Sequence, residues 1–143
     1  MREILFKAKR IDNGEWVEGA YFPMTKYPTK ENHALIWVWT EGAMGCDYDM
    51  GYTPYRIDSE TLCQYTGLTD KNGNKIWEND VVFVTDDDGC SGQIDTGLGE
   101  IDFIEGLWYI SGRVQNSLYD INKCFQIEVI GTTFDNPELM KGE

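Results

Sequence analysis

His33 is the chain's one conventional general base, and Cys46, Cys63, Cys90 and Cys124 are its candidate nucleophiles. Thiol catalysis needs a cysteine held against a histidine that a third group orients, and no local signature around the four cysteines marks such a partnership. They are scattered, with no C-x-x-C pair, whereas a zinc centre shows close ligand pairs. They read as reduced, mostly buried thiols, free cysteine being among the most buried residue types. Asp70-x-Asn72-x-Asn74 has the opening spacing of a calcium-binding helix-loop-helix, but that loop needs Gly at its sixth position and Glu at its twelfth. Lys75 and Val81 stand there, so turn chemistry explains these residues. Asp86-Asp87-Asp88 offers carboxylates, the ligands a hard cation prefers. Adjacent aspartates on a loop point in different directions, however, and a solvated acidic loop is the simpler reading. Gly97-Leu98-Gly99 lacks the third glycine and the following helix of a phosphate-cradling loop. With 25 acidic residues a carboxylate pair for glycoside chemistry is always available, so the count says nothing. The sequence therefore assigns no catalytic, metal or cofactor residue, and the expectation is a protein that is not an enzyme and holds no cofactor.

Strands and turns must position whatever these residues do. Apolar residues come in short alternating runs broken by Gly, Asn and Asp, with no long helical period. Ile4, Phe6 and Ala8 alternate as a first strand, Asp12-Asn13-Gly14 supplies a turn, and Trp16 to Phe22 returns. Pro23 and Pro28 bracket a loop. Ala34 to Thr40, aromatic and β-branched, predicts a buried strand, and Glu41 to Pro54, rich in Gly and Asp, predicts a loop. After Thr61 to Thr66, Asn72-Gly73 predicts a two-residue type I′ turn, which needs positive φ at both central positions. Asp80 marks the start of a strand over Val81 to Val84. An acidic loop spans 86–97, and Gly99 to Ile104 and Leu107 to Ser111 form a second hairpin around Glu105-Gly106. Phe125 to Ile130 alternates as a strand, and Asn136-Pro137-Glu138-Leu139 opens a helix of one or two turns. Trp16, Tyr21, Trp37, Trp39, Tyr65, Trp77, Trp108 and Tyr109 fall mostly at alternating strand positions and are expected in cores. An exposed subset would make a binding platform.

A length of 143 residues fits one domain, or two very small ones. No apolar run approaches the roughly 20 residues needed to cross a bilayer. Met1 to Lys7 carries charges where a signal peptide needs an apolar stretch, so no membrane partner and a cytoplasmic location are expected. The net charge of −13 is uneven: residues 1–30 carry six Lys/Arg against four Asp/Glu, and residues 85–143 carry three against twelve. Duplex nucleic acid is bound largely by neutralising phosphates. Beyond a small cluster near Arg2, Lys7, Lys9 and Arg10 the chain has no basic patch for that, and direct nucleic-acid binding is not expected. The charge is compatible with a basic host or phage protein as partner, and it also serves solubility alone.

Gln64-Tyr65-Thr66-Gly67-Leu68-Thr69-Asp70-Lys71-Asn72-Gly73-Asn74-Lys75-Ile76-Trp77-Glu78-Asn79-Asp80-Val81-Val82 resembles the central motif of the YopX family of bacteriophage and prophage proteins. Arg2-Glu3-Ile4-x-Phe6-Lys7-Ala8, Gly14-Glu15-Trp16-Val17-x-Gly19, Glu128-Val129-Ile130-Gly131 and Asn136-Pro137-Glu138-Leu139-Met140 resemble other parts of that family, in its order. Asn79 departs from it, standing where the family usually has glycine. The resemblance implies a phage or prophage origin and a β-rich fold whose second half is a small barrel. It implies no activity and no catalytic residues. Gln64, Tyr65, Thr66, Gly67, Leu68, Asp70, Asn72, Gly73 and Asp80 are accordingly taken as structural. The expected fold is mainly β, with an N-terminal β-rich part (1–62), a C-terminal small β-barrel with a short tail (63–143), and at most short helices. The expected function is that of a non-enzymatic phage accessory protein acting through protein–protein contacts. An oligomeric assembly protein, or an enzyme of unrecognised type, is the alternative.

Overall fold

A computed structural model describes residues 4–23, 34–39, 51–86, 97–112 and 116–141, with residues 39, 86, 123, 124 and 141 described by their backbone alone. The fold is mainly β, as expected, and the chain divides into two compact units, Met1–Tyr65 and Thr66–Glu143.

In the first unit β1 (Phe6–Lys9), β2 (Trp16–Phe22), β3 (Leu35–Trp39), β4 (Tyr52–Arg56) and the beginning of β5 (Cys63–Thr69) pair antiparallel in the order β4-β3-β2-β1-β5. Period-2 alternation gives the sheet two faces. One is the core, with Ala8, Ala34, Ile36 and Ile57 buried and Phe6, Val17, Tyr21, Val38 and Leu62 packed on them. A single 3₁₀ turn, Ser59–Thr61, is capped by the Asp58 carboxylate, which accepts from the Glu60 amide at 3.1 Å. The Thr61 hydroxyl accepts from the Lys9 amide at 2.9 Å and so ties this turn to β1.

Two expectations change here. The segment read as a loop up to Pro54 becomes strand from Tyr52, and Pro54 is tolerated because β4 is an edge strand; residues 41–50 lie outside the described residues. The aromatics expected in the core split. Tyr65 and Trp77 are buried, whereas Trp16 and Trp37 are half-buried on the outer face, opposite Ala8 and Ile36.

The second unit holds β6 (Lys75–Trp77), β7 (Asp80–Asp86), β8 (Gly97–Ile104), β9 (Leu107–Gly112), β10 (Asn116–Ser117), α1 (Leu118–Cys124), β11 (Phe125–Thr132) and α2 (Glu138–Lys141). Five strands form an antiparallel sheet in the order β10-β9-β8-β7-β11. Its core is Ile76, Val82, Val84, Ile101, Ile110, Leu118, Ile121, Phe125 and Ile127.

The expected barrel is not formed: among the described residues the sheet stays open. β10 is two residues long before α1 takes over, so it offers β11 no ladder. The outer side of β11 instead receives the 70–74 turn, through the Lys71 amide donating to the Ile127 carbonyl at 2.9 Å. Asp86, read as the start of a loop, is the last paired residue of β7, opposite Phe125. Residues 87–96 lie outside the described residues.

One turn departs from the geometry its sequence suggests, and another takes the primed form without having announced it. Gly73 has φ +84°, but Asn72 has no positive φ, so the hairpin is not a two-residue type I′ turn. The Gly73 amide donates to the Asp70 carbonyl at 3.1 Å and the Asp70 amide to the Asn74 carbonyl at 2.8 Å, a three-residue loop with a left-handed glycine. Glu105 and Gly106 do both take positive φ, +51° and +82°, with Ile104 paired to Leu107. The second hairpin stands where expected, and it carries the primed turn.

Helix α1 has no forerunner in the sequence reading. Ser117 caps it, accepting from the Asp120 amide at 3.2 Å, and Leu118 and Ile121, three apart, bury one side. One turn of helix at Glu138–Lys141 follows Asn136-Pro137, as predicted.

Candidate functional site

The motif residues sit on β5, β6, the turn between them and the start of β7. Gln64 pairs with Phe6, and the Tyr65 amide donates to the Leu5 carbonyl at 2.9 Å. Thr66 is buried; its hydroxyl donates to the Ile76 carbonyl at 2.7 Å and accepts from the Leu68 amide at 3.2 Å, spanning the kink at Gly67, whose φ is +88°. Leu68 packs on the second core. Asp80 is buried at the mouth of β7, and its Oδ2 accepts from the Trp77 amide at 2.8 Å. Asn79 before it has φ +68°, a conformation asparagine adopts more readily than most residues and glycine adopts freely.

Asp70 is the hub. It is only 6% exposed, and its carboxylate accepts from the amides of Asn72 (2.9 Å), Asn74 (2.8 Å) and Val129 (3.0 Å) and from the Asn74 side chain (3.3 Å). Burial pushes its pKa up, but the hydrogen bonds from Val129, Asn74 and Asn72 outweigh burial and hold it below the ordinary aspartate range. No ion is needed to explain Asp70, Asn72 and Asn74 together. Among the described residues no three His, Cys, Asp or Glu side chains converge as a metal site would require. His33, Cys46 and Cys90 lie outside the described residues. Cys63 is a buried thiol that donates to the Thr61 carbonyl at 3.3 Å.

Among the described residues of the second unit lies a cleft of about 490 Å³, lined by Thr66, Leu68, Gly106, Leu107, Trp108, Ser117, Tyr119 and Asp120. Of its lining, Leu68 and Trp108 are half-buried and pack on the second core. Leu107 and Tyr119, also lining it, are more than half exposed. Phe103, also more than half exposed, leans on Trp108 with ring centroids 4.8 Å apart. Ser117 Oγ donates to Asp120 Oδ2 at 2.7 Å while accepting from the Asp120 amide, which is a helix cap and not an activated nucleophile. Of the acidic residues nearby in sequence, Asp120 on α1 lines the cleft, Glu105 stands exposed at the β8–β9 turn, and Asp102 pairs with Tyr109 on the other face of the sheet from Trp108. Burial, with Asp102 adding like-charge repulsion, pushes the Glu100 carboxyl upward. Sequence reasoning placed Trp108 in a core and did not single out Tyr119. The only local signal for this wall is Ser117-x-x-Asp120, a capping pattern.

A model of the YopX protein family matches residues 5–141. The chain belongs to the YopX family. No curated protein matches it. Among solved structures, the crystal structure of protein EF1440 from Enterococcus faecalis is similar, with a TM-score of 0.51 and 20% identity over 98% of this chain and 99% of that one. At that identity the likeness concerns the fold. Family membership gives the 64–80 motif its setting: in this YopX chain those residues build a turn, a kink and a strand start, and only Thr66 and Leu68 reach the cleft.

Proposed function

We propose that this YopX chain is a non-enzymatic phage or prophage accessory protein, working in the bacterial cytoplasm through contact with a basic protein. The observation that carries this reading is the cleft at which Leu107 and Tyr119 stand exposed beside Asp120, with Phe103 exposed against Trp108. Exposed aromatic and aliphatic side chains gathered in one place mark interaction sites more often than lone ones do. The second unit also carries fifteen Asp/Glu against five Lys/Arg, so a basic surface would be steered to it. Mimicry of nucleic-acid charge is one form of this function.

Pull-down from host lysate tests it, with the natural chain and a Leu107→Ser/Tyr119→Ser variant run side by side. Basic proteins retained by the natural chain, released by 0.5 M salt (about a 4 Å screening length) and lost with the variant are the expected result. Equal recovery by both, or none by either, would overturn it.

A further inference from the structure

The outer face of the first unit's sheet departs from the rule that the solvated face of an antiparallel sheet is polar. Strand registers place Lys7 and Lys9 of β1, Trp16, Glu18, Ala20 and Phe22 of β2, Leu35 and Trp37 of β3, and Tyr52, Pro54 and Arg56 of β4 on that side. Two rows cross it. Phe22 lies opposite Leu35, which lies opposite Arg56; Ala20 lies opposite Trp37, which lies opposite Pro54. Phe22 and Tyr52 are 60% and 51% exposed, and Trp37 stands between the small side chain of Ala20 and the flat ring of Pro54. At the β1 end the ammonium groups of Lys7 and Lys9 lie 4.7 and 5.5 Å from the centre of the Trp16 ring, which holds two cations side by side. Arg56 is exposed at the β4 end. Among the described residues the face thus carries three cations against one carboxylate, Glu18 opposite Lys7, in a chain whose net charge is −13.

We propose that this face binds single-stranded nucleic acid, with Phe22, Trp37 and Tyr52 stacking on bases and Lys7, Lys9 and Arg56 contacting phosphates. Aromatic rings spread over a sheet with flanking cations suit a strand whose bases are free to stack. A duplex hides those bases, and three cations are too few to hold it against the chain's overall charge. The whole-chain charge pointed away from nucleic acid because the acidic residues concentrate elsewhere: the second unit has fifteen, with five Lys/Arg. This inference rests on the first unit and is independent of the protein-contact reading.

The test is fluorescence anisotropy of a labelled 15-nucleotide oligo(dT) with the full chain, from 50 to 300 mM salt. The expected dissociation constant at 50 mM salt is below about 100 μM. The expected slope of log K against log salt is about −2, from three phosphate contacts at about 0.7 each. Lys7→Gln with Arg56→Gln should reduce the slope to about −0.7. Phe22→Ala should weaken binding about tenfold with the slope unchanged, the loss of one stacked base. An equally long duplex should bind at least tenfold more weakly. Absence of binding at 50 mM salt, equal or better binding of the duplex, or insensitivity to all three substitutions overturns the proposal. So does equal competition by polyglutamate, which would assign the face to acidic protein instead.

Discussion

Replacing Asp70 by alanine should cost the second unit about 3 kcal/mol at neutral pH. The carboxylate accepts three backbone amides at 2.8–3.0 Å while nearly buried. Hydrogen bonds to a charged acceptor are worth about 1.5–3 kcal/mol each, and a buried donor left without one costs about 1–3 kcal/mol. The Asn72 and Asn74 amides belong to exposed residues and regain water on truncation, so each counts for about 0.5–1 kcal/mol. The half-buried Val129 amide is shielded by the turn and counts for about 1–2 kcal/mol. With a urea m-value near 2 kcal/mol/M, the midpoint should fall by about 1.5 M. Asp70→Asn sharpens the test: it keeps one oxygen for the two turn amides but sets an NH₂ group against the Val129 N–H. It should lose about 2 kcal/mol, and amide exchange at Val129 should speed up most. The pH dependence has a definite sign. Because the native pKa lies below the ordinary value near 4, the stabilisation is complete above that value and is lost as pH falls through the native pKa. The gap between the natural chain and Asp70→Asn should therefore be flat from pH 7 to 5 and close below about pH 4. A gap under 0.5 kcal/mol at pH 7 (well below the ~1.5 kcal/mol of one charged bond), or one unchanged at pH 3, would refute the hub role.

Other outcomes follow from single positions. Asn79→Gly should be neutral or slightly stabilising and Asn79→Ala destabilising by about 1–2 kcal/mol, because φ is +68° there; thermal melts compare the two. Glu100→Gln should stabilise slightly at pH 7, by no more than about 0.5 kcal/mol since water still screens the group. The Glu100 pKa is raised in the fold, so that benefit should vanish below the unfolded value near 4, as paired urea titrations at pH 7 and 3.5 would reveal. Gly99→Ala should cost about 1–3 kcal/mol in a denaturant melt, since a Cβ would fall 2.2 Å from the Ile110 Cγ2 in the sheet's interior.

Much of the fold was legible because strands announce themselves locally. β8 and β11 alternate buried and half-exposed residues as their sequences do, and the Glu105-Gly106 hairpin falls where its flanks predict. The failures have physical reasons. Asn72-Gly73 suggests a primed turn by dipeptide, but Asp70 draws the Asn72 and Asn74 amides onto one oxygen, and that selects the three-residue loop. Helix α1 has seven residues and two buried apolar ones, too few to show a 3.6 period. Period 2 told which tryptophans share a face but not which face is inside, so Trp37 was assigned to the core that Ile36 occupies. The cleft was not legible, since β5, the β8–β9 hairpin and α1 meet there from three stretches of chain.

The Asp70–Val129 bond joins residues 59 apart in sequence. During synthesis at roughly 5–20 residues per second, the 70–74 hairpin waits about 3–12 s for its partner strand to be made. The β8–β9 hairpin, whose contacts are local, needs no such wait. Folding of this unit should therefore run from the middle outward, with the motif turn locking last. Between the emergence of β11 and that locking, its flank is an open ladder on which a neighbouring nascent chain can pair. A stalled chain ending at residue 124 should show fast amide exchange at Asn72 and Asn74, and the full chain slow exchange. The turn that carries the family's most recognisable residues would then act as a latch, guarding the chain against its own copies on the ribosome.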